Sequence, residues 1–146
     1  MQGVGTMPQF TQVRVRLHSR HQGEDVVQDI PAEAILRGST LYIRYEEPQE
    51  SPLGGTTNVT IKIGQAELKL IRHGEVQSEQ SFEEGKRLPG FYRSPYTNFA
   101  MSTDTSRLTI QREGLTAHVE WDYDLYVYED LTGAFAISLH IQEEQE

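Results

Sequence analysis

The chain has no cysteine among its 146 residues. That alone excludes disulfides, thiolate metal centres and cysteine nucleophiles, and it suits a reducing compartment. Cations are scarce as well: 13 Lys and Arg stand against 22 Asp and Glu, a net charge of −9 with histidine neutral. A surface of that sign repels phosphate backbones and anionic membranes, which argues against nucleic-acid and membrane partners. The same charge keeps a β-rich chain in solution. No apolar run approaches the roughly 20 residues of a membrane helix. Residues 1–8 lack the basic-then-apolar order of a secretion signal, which points to the cytoplasm. There is no glycine-rich phosphate loop, no G-x-S-x-G elbow and no paired-carboxylate motif, so the chain reads as non-enzymatic and free of cofactors. Asn58-Val59-Thr60 fits a glycosylation acceptor but falls inside an expected strand.

Helical periodicity is missing too, and alternation takes its place. Leu115, Ala117, Val119, Trp121, Tyr123, Leu125 and Val127 fall on every second position, with His118, Glu120, Asp122, Asp124 and Tyr126 between them. One face of a strand is apolar and the other charged. At about 3.3 Å per residue this strand is roughly 40 Å long, and in a small domain it must coil.

The same period marks further strands: one from Phe10 to Arg20 with Val13, Val15 and Leu17 inward, one from Ser39 to Glu47, then Thr57–Ile63, Ala66–His73 and Glu75–Phe82. Phe91 to Thr103 reads as extended, interrupted at Pro95, and Ser106–Glu113 as a separate strand. Asp130–Gly133 is expected to turn the chain into a last strand with Phe135, Ile137, Leu139 and Ile141 inward. Pro31–Leu36 is compatible with one helical turn or with extended chain. The sum is all-β, an antiparallel up-and-down meander of about nine or ten strands, closed as a barrel or, alternatively, folded as a two-sheet sandwich. Residues 1–9 read as a leader, 10–142 as the single barrel domain and 143–146 as an acidic tail.

Leu41-Tyr-Ile-Arg-Tyr-Glu-Glu47, Gly55-Thr-Thr57, Leu70-Ile-Arg-His-Gly74, Tyr92-Arg-Ser-Pro-Tyr96 and Met101-Ser-Thr103 come in an order that resembles the YwiB-like bacterial family. The resemblance spans roughly Val13 to Gln142. It implies a calycin-like (lipocalin-like) barrel and a domain of unknown function. It also implies a glycine after the Pro-Tyr pair, where this chain has Thr97, a residue that resists positive φ.

Arg72 and Arg112 each continue an inward parity at the end of a strand, just before a glycine turn. They read either as guanidinium forks in a barrel mouth holding an anionic head group or as rim residues reaching solvent. Tyr45, Tyr92, Tyr96 and Tyr123 read either as a cavity lining or as core filling. Trp121 reads as core. The histidines show no spacing that pairs them on one strand, so no metal site is expected. If the last hairpin turns at Leu131-Thr132, His140 lies opposite Asp122 or Asp124. The outward stripe Arg14, Arg16 and His18 reads as a phosphate site or as a partner of Glu120, Asp122, Asp124 and the acidic tail.

Two functions follow. A barrel with a hollow mouth binds a small, partly apolar ligand. A solidly packed barrel recruits a protein partner through an edge or through the Pro48–Gly55 loop. A free strand edge also permits a homodimer.

Overall fold

Alternating residues place one side chain in and the next out along ten strands, and antiparallel pairing of neighbours closes them into a ring. The structure, a computed structural model, describes residues 9–144. Its strands are β1 (Thr11–His21), β2 (Glu24–Arg37), β3 (Thr40–Glu46), β4 (Thr57–Ile63), β5 (Glu67–Gly74), β6 (Gln77–Glu83), β7 (Arg87–Arg93), β8 (Asn98–Glu113), β9 (Thr116–Val127) and β10 (Asp130–Glu143). Each pairs with its neighbour in the chain, and β10 returns to β1 from Val13↔Glu143 to Arg20↔Ala136. The barrel is closed, and the sandwich alternative falls away. The leader, except Gln9, and the last two residues of the tail lie outside the described residues; Glu143 belongs to β10.

Several elements differ from expectation for local reasons. Pro31–Leu36 is strand, part of β2. Proline is tolerated there because β2 pairs with β3 only from Glu33 to Arg37, so Pro31 lies where β2 has parted from that neighbour. Phe91–Thr103 is two strands, β7 and the start of β8, joined by the turn Ser94–Thr97. That turn is the interruption expected at Pro95. Ser106 does not begin a new strand; β8 runs through it with a bulge between Thr105 and Arg107. The last hairpin turns at Tyr128-Glu129, with Tyr128 at φ 54°, and Leu131–Gly133 is a bulge inside β10. His140 therefore faces His118, not Asp122 or Asp124.

Thr97 takes no positive φ. The Ser94 hydroxyl accepts from the backbone N–H of Tyr96 and Thr97 at 3.2 and 3.3 Å, and this local bonding holds the turn without a glycine.

The core fills the middle of the barrel and one end, here termed the base, where β1 begins and β10 ends. Val13, Val15, Ala34, Leu41, Ile43, Ile63, Leu68, Val119, Trp121, Leu139 and Ile141 are all buried there or in the waist. At the opposite end, the mouth, lie the β1–β2, β3–β4, β5–β6, β7–β8 and β9–β10 turns. Two seams interrupt the pairing. At the mouth, β2 and β3 diverge. Toward the base, β7 leaves β6 after only Gln77↔Arg93, Ser78↔Tyr92 and Glu79↔Phe91. At the point of parting Gly90 lets the two backbones approach closely, because a Cβ there would collide with the carbonyl oxygen of Glu79. Below it, Thr103 Oγ1 bonds the Ser81 carbonyl and holds β8 against β6.

Candidate functional site: the barrel mouth

Register aligns one inward residue from each of six consecutive strands at the mouth. Tyr45 lies opposite Val59, Val59 opposite Arg72, Arg72 opposite Ser78, Ser78 opposite Tyr92, and Tyr92 opposite Phe99. Behind this belt stand Leu70 and Gln80, and across the barrel Leu17, Ser19, Phe135 and Ile137. These side chains share the inward parity of the core yet are only partly buried.

Arg72 is the hub. Its Nε donates to Glu47 Oε1 at 2.5 Å, and Glu47 is the first residue of the β3–β4 loop. Its charge acts on Tyr45 and Tyr123 alike. Burial pushes the Tyr45 phenol up to about 12; Arg72 opposes this rise and Glu47 adds to it. Burial likewise pushes Tyr123 up to about 12, opposed by a hydrogen bond with Gln80 and by Arg72. Both phenols stay protonated near neutral pH. Beside Arg72, a depression of about 260 Å³ is lined by Glu47, Glu50, Ser51, Thr57, Val76 and Tyr92. Its floor is ordered by Ser51 Oγ and Thr57 Oγ1, 2.6 Å apart, and the loop above is tied by Leu53 N–H to Glu75 Oε2 at 2.9 Å.

The other wall is aromatic. His21 stacks on Phe135 at 4.1 Å, Phe135 on Tyr123 at 5.2 Å, Tyr123 tilts against Phe82 at 4.8 Å, and Phe82 against Trp121 at 5.5 Å. The series runs from the rim to the core. His21 is held by its Nδ1 on the Ala134 carbonyl at 3.0 Å, and its ring occupies the space a Cβ on Gly133 would need. At the inner end of the series, Trp121 Nε1 and Thr105 Oγ1 are buried without a protein partner among the described residues.

Of the residues singled out from sequence, Arg72, Tyr45, Tyr92 and Tyr123 come together at this mouth. Two do not. Arg112 points inward as its parity implied, but at the base: it donates to the carbonyls of Ser39 at 2.7 Å and Ile63 at 3.4 Å, closing the gap between β8 and the β3–β4 edge. Its guanidinium is bound to backbone and lies at the far end from Arg72. Tyr96 sits on the β7–β8 turn with 71% of its surface exposed, because the four-residue turn lifts it off the wall. Glu47, Gln80 and His21 were missed. His21 and Gln80 were legible, since the parities Val13–Leu17 and Val76–Phe82 extend to them; Glu47 was not, because it lies where strand alternation ends.

On the outer face, Arg14 meets Asp29 at 3.2 Å and Glu144 of the tail at 3.8 Å. The expected pairing with Glu120 and Asp122 is taken instead by Arg107, at 3.3 and 2.8 Å. No group of three or more His, Asp or Glu side chains converges as a metal site among the described residues. No helix among them is long and apolar enough to cross a membrane.

The molecule is thus a closed, ten-stranded antiparallel barrel with a packed base and a polar, aromatic mouth. The chain belongs to the family described as a domain of unknown function, DUF1934, which it matches over residues 11–139. It is similar to the crystal structure of the ywiB protein from Bacillus subtilis, with a TM-score of 0.75 and 17% identity over 92% of this chain and 91% of that one. At that identity the likeness is one of fold, and with the family match it confirms the resemblance read from the sequence. No curated protein matches the chain.

Proposed function

We propose that this calycin-like barrel is a cytoplasmic, non-enzymatic binding protein that takes a small, partly apolar molecule into its mouth. The carrying observation is the group of inward side chains that stay partly exposed around the mouth, Leu17, Tyr45, Leu70, Phe135 and Ile137. The aromatic series offers apolar surface, Tyr45 and Tyr123 offer phenolic donors, and the free N–H groups of Arg72 offer more. Trp121 Nε1 and Thr105 Oγ1 supply a donor and a hydroxyl deeper in, and an unpaired buried polar atom costs on the order of 1–3 kcal/mol that a ligand can recover. A depression of about 260 Å³ lies near the lower bound for small-molecule sites. The anionic head group expected from Arg72 alone fits less well than a neutral acceptor such as a carbonyl. Glu47 already neutralises Arg72, and Glu50 lines the same depression.

Native mass spectrometry of the gently purified protein, compared with its mass after denaturation, tests this reading. A small-molecule adduct that Arg72→Met loses supports it; an adduct that survives Arg72→Met removes Arg72 from the site. A second reading, a protein-recruiting module, is favoured by Leu53, Tyr96, Tyr128 and Leu131, all at least 60% exposed on the mouth loops and the adjoining start of β10. A clean apo mass with a partner retained through Leu53→Ser-sensitive pull-down would shift the assignment to that module.

A further inference from the structure

Outside the barrel, far from the mouth's ion pair, one row of side chains crosses three strands. Arg16 on β1 lies opposite His140 on β10, and His140 opposite His118 on β9. The two imidazoles stack with centroids 5.4 Å apart. Neighbouring strands lie about 4.8 Å apart, so the Arg16 backbone flanks that of His140 as closely as the His118 backbone does. Asp29 lies directly opposite Arg16 on the other side, yet its carboxylate is engaged by Arg14 at 3.2 Å. Arg16 has no ion-pair partner among the described residues. A depression of about 310 Å³ opens here, lined by Arg14, Arg16, Asp29, His140 and Gln142.

We propose that this depression is a binding site for a phosphoryl dianion, free or at the end of a small phosphomonoester, with Arg16 as its principal contact and His140 and Gln142 as further donors. A guanidinium fork matches phosphate oxygens, and charge-assisted bonds to it are among the strongest available to a side chain. The net charge of −9 does not forbid it. Charges beyond about 8 Å are screened at physiological ionic strength, so the local row decides. A metal ion fits the same residues badly. The stacked rings, 29° apart in plane, do not converge their nitrogens, His118 Nε2 already faces Glu120 Oε2 at 3.2 Å, and Arg16 repels a cation.

The test is titration of the full chain with inorganic phosphate, and separately with glycerol 3-phosphate, followed through the imidazole NMR signals of His118 and His140. Saturable shifts of both rings are expected, with affinity at least ten-fold weaker in Arg16→Gln and unchanged in Arg37→Gln, whose guanidinium lies by Tyr42. Asp29→Asn removes the competing carboxylate and is expected to tighten binding about three-fold, an effect that a folding defect would not produce. Tighter binding of the ester assigns the site to a phosphomonoester; tighter binding of phosphate assigns it to the free ion. Shifts that grow linearly without saturating, equal affinity in Arg16→Gln, or histidine shifts induced by zinc but not by phosphate would each overturn the proposal.

Discussion

At the scale of single residues, Tyr45 and Tyr123 give the mouth a measurable signature. Their phenols titrate at about 12 in the fold against 10.0 unperturbed. The unfolded chain therefore releases these protons first. Their contribution is fully present below pH 10 and is lost as pH rises from 10 to 12, by about 2–3 kcal/mol for each phenol. The denaturant midpoint should fall across that window, and Tyr45→Phe or Tyr123→Phe should each flatten part of the fall. A midpoint that moves equally in the double variant would show that other groups govern the alkaline limb. Gly90 makes a second prediction. A Cβ there meets backbone, which cannot swing aside, so Gly90→Ala should cost about 1–3 kcal/mol in equilibrium unfolding. An unchanged midpoint would mean that the β6 and β7 backbones can yield to a methyl group at their closest approach. Parity alone made Arg72, Tyr45, Tyr92 and Tyr123 legible as inward residues. Which end each inward residue serves was not legible for Arg112, because its destination depends on how many strand reversals precede it.

At the scale of elements, the strands were legible wherever apolar and polar residues alternate against one partner on each side. They were misjudged where a partner ends. Pro31, in a stretch compatible with one helical turn or with extended chain, and Pro89 both lie inside strands at the seams, on stretches that have lost one neighbour. The sequence carries the proline but not the pairing that makes it harmless. The free edge of β2 from Glu24 to Pro31 is the open template that results, with Val26 and Val27 each 52% exposed. Glu24, Asp25, Asp29 and Pro31 guard it: antiparallel self-pairing across this segment brings carboxylates together, and proline withholds a donor. Replacing Glu24, Asp25 and Pro31 with threonine should therefore produce concentration-dependent self-association, read by sedimentation velocity. A triple variant that sediments as the parent does at every concentration would show that the edge is protected by something else.

At the scale of the whole molecule, the two ends divide the work. The base carries the packed core, the Arg112 clasp and the pairing of the first strand with the last, which closes the barrel from Val13↔Glu143 onward. The mouth carries partly exposed inward side chains, the aromatic series and the longest loop, which the Arg72–Glu47 pair ties to β5. Because Thr11 and Glu143 lie at the same end of the barrel, a linker can join β10 to β1 and new ends can be opened elsewhere without unpairing a strand. Opening the joined chain at Gln65-Ala66, a base turn, should leave both the melting transition and any mouth ligand in place. Opening it at Pro52-Leu53 should also leave a cooperative fold, since the core lies below, but release the Ser51 and Glu50 side of the depression and with it the ligand. The comparison needs circular dichroism melting for the fold and native mass spectrometry for the adduct. If both permutants keep the adduct, the ligand sits deeper than the loop and the aromatic series toward Trp121 alone holds it. If the mouth permutant fails to fold, the loop is part of the barrel's closure and the division of labour between the two ends is wrong.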